Sequence, residues 1–210
     1  MRVLINCAMS VDGKIALPSR RQTRISNEED MRRVHWLRNQ ADAILVGIGT
    51  ILADDPKLTV SEKYVPDPRQ PLRIVLDSQG RTPTDAKVLQ GPARTLIVTS
   101  ESCKREFPGA ETVRFGKKEV DLRALLRYLE GRGVKTLMVE GGETVIWSFL
   151  RDGLADELTV FVGSIILGGK GSPTLAGGEG FQSLDEARKL VLRSCEKLGD
   201  GVLLRYEVIK

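Results

Sequence analysis

Histidine occurs once in the 210 residues, at His35, and cysteine three times, at Cys7, Cys103 and Cys195. A single imidazole leaves no second histidine ligand for zinc and no Ser-His-Asp triad away from His35. The thiols are odd in number, far apart and without a CxxC pair, which argues against a disulfide framework and a metal cluster alike and suits a reducing cytosol. His35 lies one step off an apolar helical stripe, so a satisfied or solvated helix histidine is the favoured reading over a catalytic one. Aromatic residues are 5% of the chain, too few for the stacking surface of a nucleic-acid reader. The net charge of +4 and pI near 9.0 lean only mildly toward anionic ligands, because Lys and Arg alternate with acids. No apolar run approaches the roughly 18 residues of a membrane span, and the start MRVLINC reads as a strand, not a signal sequence. With no internal repeat and no linker, one domain over residues 1–210 in the cytoplasm is expected.

The chain is organised around VKTLMVEGGETVIWSFL, Val134 to Leu150. Val134 to Val139 is an apolar run of strand length with its polar members at the entrance, as in a strand buried on both faces. Gly141 and Gly142 interrupt it, and from Thr144 the apolar residues Val145, Ile146, Phe149 and Leu150 return at helical spacing. Strand, diglycine turn and helix together make a geometry suited to phosphate, with Glu140 at the carboxyl end of the strand. The plainer alternative is a tight turn carrying a solvated carboxylate.

Around this unit the pattern alternates β and α. Strands are expected at Val3 to Met9, Ala43 to Val46, Leu72 to Leu76, Thr95 to Val98, Glu111 to Phe115 and Glu157 to Ile166. A hairpin, Leu190 to Lys197 and Val202 to Ile209, closes the chain around Gly199-Asp200-Gly201. Ser26 is the expected N-cap of a helix running to Gln40, with Glu29 reaching back to it, and Asp121 caps another over Leu122 to Leu129. A short helix is expected at Ile51 to Ala53, and Ser100 opens a turn or short polar helix. The segment from Gly13 to Arg24, rich in basic residues, reads as a loop able to lie over a site, and Gly168 to Gly180 is a second, glycine-rich loop.

Familiar nucleotide motifs fail. Around Gly163 to Gly171 the residue after Lys170 is glycine where a P-loop needs Ser or Thr, which argues against nucleotide hydrolysis. Gly47-Ile48-Gly49 lacks the third glycine of a dinucleotide fingerprint, its place being taken by Leu52. Two glycine-bearing strand ends remain, each beside a carboxylate: Gly47-Ile48-Gly49-Thr50 leading to Asp54, and Gly141-Gly142 after Glu140. One can cradle a cofactor pyrophosphate and the other a second anionic or hydroxylated group, with the carboxylates left to orient or protonate reacting atoms. Asp54-Asp55-Pro56 serves equally as a helix stop.

These residues carry a resemblance. The stretches Met9 to Lys14, Arg24-Ile25-Ser26, His35 to Arg38, Asp42 to Thr50, Leu52 to Pro56 with Leu58-Thr59-Val60, Val75 to Ser78, Val139 to Gly142 and Gly153 to Glu157 run in one order over almost the whole chain. That order resembles the archaeal-type riboflavin-pathway reductases, which are similar to the reductase half of the bacterial bifunctional deaminase-reductase. The resemblance implies an α/β dihydrofolate-reductase-like domain, a mainly parallel central sheet flanked by helices, and a C-terminal antiparallel hairpin. It implies reduction of 2,5-diamino-6-ribosylamino-4(3H)-pyrimidinone 5′-phosphate to the ribitylamino form, with NADPH as donor and NADH as an alternative. It also implies a homodimer, for which the apolar strands Glu157 to Ile166 and Val202 to Ile209 offer an edge or face; the composition itself speaks against metal, nucleic acid and membrane as partners.

Carried over residue by residue, Ala8, Arg24, Thr50, Asp54, Ser78 and the turn Gly141, Gly142, Glu143 and Thr144 match cofactor-binding positions. Arg38, Leu58 and Glu140 match substrate-binding positions, and Glu140 and Asp54 are the candidate catalytic carboxylates. Ser61 stands where bacterial relatives have an arginine near the substrate phosphate, which shifts that contact toward Arg38 or a basic residue of the loop before Ser26. The zinc-ligand histidine and cysteines of a deaminase half are missing. The competing readings are a reductase of the same fold acting on a pterin or folate, and a non-catalytic nucleotide-binding module.

Overall fold

The computed structural model describes residues 1–20 and 23–210; Arg21 and Gln22, within the basic loop, lie outside the described residues. The elements in chain order are β1 (Arg2–Ser10), α1 (Glu28–Gln40), β2 (Ala43–Gly47), α2 (Ile48–Asp54), β3 (Leu72–Leu76), β4 (Thr95–Thr99), β5 (Glu111–Arg114), α3 (Leu122–Gly131), β6 (Thr136–Val139), α4 (Glu143–Arg151), β7 (Glu157–Gly163), β8 (Leu190–Leu198) and β9 (Gly201–Val208), with a 3-10 turn at Lys87–Leu89. Contacts divide them between two units, residues 1 and 35–138, and residues 2–34 and 139–210.

In the first unit the strands lie in the order β5-β4-β3-β2-β6. The pairs β2 with β3, β3 with β4 and β4 with β5 are parallel. Every residue of β2 and β4 is buried, which is why their sequences are almost unbroken apolar runs instead of alternating ones. Asp42 levels the amino ends of these strands: its Oδ2 accepts the N–H groups of Lys135 and Thr136, and its carbonyl accepts that of Leu72. Asp121 caps α3 as expected, accepting from the Ala124 N–H at 2.9 Å, and Leu125 and Leu129 face inward.

In the second unit the order is β1-β7-β9-β8. β1 and β7 are parallel, in register from Leu4 opposite Glu157 to Ser10 opposite Gly163, and β9 runs antiparallel to both β7 and β8. Asp156 plays the levelling role here: its N–H donates to the Val3 carbonyl, its carbonyl accepts the Val208 N–H, and its carboxylate takes the Val3 N–H at 2.7 Å. The α/β class, mainly parallel with a closing antiparallel pair, is as the sequence implies.

Several boundaries differ from the sequence expectation for identifiable reasons. The cap of α1 is Asn27, whose side chain accepts the Asp30 N–H at 2.8 Å. Ser26 instead donates its hydroxyl to the buried Asp30 carboxylate, which also pairs with Arg33. α2 starts at Ile48, three residues early, with Gly47 as its cap. β7 stops at Gly163, where a Cβ would come within 2.8 Å of the Ile25 carbonyl, so Ile165 and Ile166 leave the sheet and are exposed. The free edge in this unit is therefore β8, while β7 and β9 are each flanked on both sides.

The irregular segment 55–61 after α2 is held by side chains from neighbouring elements. Arg38 donates to the Thr59 carbonyl, Gln70 makes a two-point bond with the Val60 main chain, and His35 Nδ1 accepts the Ser61 N–H at 3.1 Å. Beneath it Arg73, only 1% exposed, donates to the carbonyls of Lys57, Gln90 and Ala93 at 3.2, 3.0 and 2.5 Å. Three oxygens share the work of a counter-ion. Arg73→Leu leaves them without a donor and should lower stability by about 2–4 kcal/mol. A urea midpoint within error of the parent would show that Arg73 does not hold this segment.

Candidate active site

The predicted site residues fall into two groups, one in each unit. In the second unit they gather at the start of α4. Glu140, half-buried, follows β6; the Gly141-Gly142 peptide is cis, and Gly141 has φ +108. That φ lies where a Cβ is disfavoured, so the position requires glycine. Gly142 caps α4 in extended conformation with no side-chain bond, and its carbonyl accepts the N–H groups of Val145 and Ile146 at 3.0 and 3.1 Å. The N–H groups of Glu143 and Thr144 thus point out of the first turn toward the positive end of the helix dipole. A close backbone, no capping side chain and outward N–H groups fit a pyrophosphate.

Two loops flank this turn. Asp12, just past β1, accepts the Ser10 hydroxyl and the N–H groups of Leu167 and Gly168 at 2.6, 3.0 and 2.7 Å. These hydrogen bonds, the Ser10 one foremost, pull its carboxyl down to about 2, so it is ionised at any working pH. Ala8 sits half-buried on β1 opposite Phe161. Arg24 is exposed and its guanidinium lies 3.2 Å from Glu28. The Glu143 side chain is turned away from a ligand role: its two oxygens take Arg20 at 2.9 Å and the Thr174 N–H at 3.0 Å. Of the predicted cofactor contacts at this residue, the main-chain N–H is the one that remains.

In the first unit Thr50, in the opening turn of α2, and Ser78 follow the carboxyl ends of β2 and β3, where α/β sheets receive ligands, whereas Arg38 lies in α1 and Leu58 in segment 55–61. Thr50 and Asp54 are four residues apart on α2 and so share a face. Gly47-Ile48-Gly49-Thr50, expected as an open cradle, is the opening of this helix. Asp55 ends α2 in left-handed conformation, its carboxylate bound to the Lys87 N–H at 2.8 Å and to Lys87 Nζ. Leu58, φ +51, buries its side chain in the cluster with Val46, Ile51 and Val75, which leaves its backbone for any ligand. Beyond β3, the Ser78 hydroxyl accepts the Val120 N–H at 3.2 Å and its carbonyl accepts the Ser100 hydroxyl at 2.7 Å.

Sequence reasoning missed Asp12 and Arg73. Asp12 was visible as part of a Ser-Val-Asp-Gly turn, but its partners Leu167 and Gly168 lie more than 150 residues away along the chain; nothing local marks Arg73 as buried.

The fold is that of the dihydrofolate reductases. The enzyme of Enterococcus faecalis superposes with TM-score 0.54 at 11% identity over 100% of this chain and 97% of that one, a likeness of fold alone. Residues 1–204 match the family model of the RibD C-terminal domain, and the chain belongs to that family. The 2,5-diamino-6-ribosylamino-4(3H)-pyrimidinone 5′-phosphate reductase of Archaeoglobus fulgidus is 44% identical over 211 residues, covering 95% of this chain and 94% of that protein. RibD of Acinetobacter baumannii superposes with TM-score 0.86 at 24% identity, covering 100% of this chain but 58% of its own, so the chain spans little more than half of that protein.

The two glycine positions should respond oppositely to alanine. At Gly141 the new Cβ meets nothing nearer than Ile146 Cδ1 at 3.6 Å, so the cost is backbone strain of about 1–3 kcal/mol. At Gly49, inside α2 with nothing within 4 Å of a Cβ, alanine should stabilise by about 0.5–1 kcal/mol. Urea unfolding of both variants checks the pair; a Gly141→Ala protein as stable as its parent would contradict the strain.

Proposed function

We propose that this chain, as one reductase domain over residues 1–210, reduces 2,5-diamino-6-ribosylamino-4(3H)-pyrimidinone 5′-phosphate to its ribitylamino form in riboflavin biosynthesis, with NADPH as donor. The observation that carries this reading is 44% identity over nearly the full length of a relative bearing that name. The bound reduced nicotinamide supplies a hydride to ribose C1′.

This chain's own residues bind and orient. The N–H groups of Glu143 and Thr144 hold the cofactor pyrophosphate, the Gly141-Gly142 turn allows the close approach, and the Ala8 main chain and Arg24 add contacts. Thr50, Asp54 and Ser78 are the remaining cofactor-binding residues of this reading. Arg38 and the Leu58 backbone serve the substrate, and Glu140 accepts from the amino groups of the pyrimidinone, which are donors suited to a carboxylate. Glu140 and Asp54 are the groups able to move a proton as the C1′–O bond gives way. With Ser61 at the usual arginine position, more of the substrate-phosphate contact falls to Arg38 or to a basic residue of the loop before Ser26. Ser78, Ser100 and Lys104, beyond the carboxyl ends of β3 and β4, are the candidates to receive the 2′-phosphate that distinguishes NADPH from NADH. The setting is cytoplasmic; among the described residues no helix is long and apolar enough to cross a membrane.

The reading includes a homodimer. Its support is the β8 edge, where Leu190, Val191 and Leu192 are exposed and main-chain groups await a partner strand or cover. Sedimentation at micromolar concentration should give twice the 23.2 kDa chain mass; a monomer would remove this part of the proposal.

Oxidation of NADPH that depends on the ribosylamino substrate tests the function, with dihydrofolate as the competing substrate. Glu140→Gln keeps shape and part of the hydrogen bonding while removing the charge. It should lower kcat/KM by one and a half to three orders of magnitude, about 2–4 kcal/mol of transition-state stabilisation, with the fold intact. Parental rates in this variant would make Glu140 a turn residue and Asp54 the carboxylate to test.

A further inference from the structure

The loop after β1 and the loop after β7 form one flap. Val11 donates to the Ile165 carbonyl and Ile15 to the Pro173 carbonyl, Lys14 bridges to Thr174, and Asp12 gathers the N–H groups of Leu167 and Gly168. Among the described residues neither loop has a helix or strand, so these cross-bonds fix their shape. The flap then meets α4 at Glu143. Glu143 Oε1 takes the Arg20 guanidinium from the first loop, and Oε2 takes the Thr174 N–H from the second. The Glu143 carbonyl accepts the Gly177 N–H at 3.2 Å. Gly177 passes so close that a Cβ there would lie 2.8 Å from Glu143 Cγ and Oε2, and at Gly178 a Cβ would overlap the Trp147 ring. Arg20 is presented by a closed turn, its N–H on the Leu17 carbonyl at 2.8 Å and its φ at +58. Further on, Arg188 binds the carbonyls of Leu150 and Arg151 at the far end of α4.

A carboxylate in the first turn of a helix whose N–H groups receive a pyrophosphate is, by charge alone, unfavourable to that ligand. The same carboxylate is only 17% exposed and is bonded on both oxygens, which gives it a different use. We infer that Glu143 is a positioning residue: it locks the two-loop flap onto the start of α4 and so holds the flap in place beside the cofactor's phosphates. This rests on the cofactor reading above for its consequence, though not for its geometry. The two views of Glu143 predict opposite signs. If its charge merely lies near the phosphates, neutralising it tightens cofactor binding. If it is the lock, neutralising it loosens the flap and weakens binding.

The test uses the full chain with Glu143→Gln, Glu143→Ala and Arg20→Ala. Backbone hydrogen exchange over residues 164–180 is followed without cofactor, and NADPH binding is followed by fluorescence titration. In Glu143→Ala, exchange at Thr174 and Gly177 should rise about tenfold or more, as local opening becomes easier, and NADPH should bind about tenfold more weakly. Glu143→Gln should fall between this and the parent in exchange, because its amide oxygen still accepts the Thr174 N–H. Arg20→Ala, which alters an exposed side chain and leaves α4 intact, should show the same direction to a smaller extent. Unchanged exchange in all three variants, or tighter NADPH binding in either Glu143 variant, overturns the inference. A parent that fails to bind NADPH refutes the cofactor reading instead, and the exchange rates still decide whether Glu143 is the lock.

Discussion

At Gly141 the backbone holds φ +108 between a strand whose Leu137, Met138 and Val139 are wholly buried and a helix that begins two residues later. The constraint demands glycine and places the Gly142 carbonyl as the first acceptor of α4, which leaves the Glu143 and Thr144 N–H groups directed outward. Ile146 and Phe149 then face the core at 0% exposure, and Trp147 lies edge-on to Phe181 at 4.8 Å. From one position open only to glycine follow the seat of the helix, the path of segment 168–188 along it and the anion-receptive turn.

The first unit solves a different problem. Segment 55–61 has no regular structure, yet its main-chain groups cannot be left dry and unpaired. Side chains from α1 and from around β3 supply partners: Arg38 for Thr59, His35 for Ser61, Gln70 for Val60 and Arg73 for Lys57. The stacking of His35 on Tyr64, with centroids 4.6 Å apart, completes the tether. An imidazole whose Nδ1 accepts a main-chain N–H carries its proton on Nε2. A segment fixed in this way presents its backbone with little entropy left to lose on binding.

Periodicity and turn chemistry were enough to place every strand, the Asp121 cap and the strand-turn-helix at the centre, because those are local choices enforced by burial. The cap of α1 escaped by one residue because Ser26 and Asn27 are both good caps, and the buried Asp30 decides between them by claiming the Ser26 hydroxyl. The end of β7 escaped because Ile165 and Ile166 continue the apolar pattern, and only the crossing Ile25 backbone stops the strand. For the site, residue types at strand ends were legible, and the resemblance supplied their roles. Illegible were the uses that depend on distant partners: Glu143 bonded to Arg20 and Thr174, Asp12 bonded to Leu167 and Gly168, and Arg73 bonded to three carbonyls. The Asp42 and Asp156 motifs that helped to mark the family turn out to level strand ends.

The central claim is that this chain moves a hydride from NADPH to ribose C1′ of the ribosylamino pyrimidine. Reaction with NADPH carrying deuterium at both C4 positions, followed by mass spectrometry of the product, tests it directly. The account predicts a ribitylamino product one mass unit heavier, with the label at C1′ and one NADPH consumed per product. An unlabelled product, or substrate returned unchanged while NADPH is bound, would contradict it.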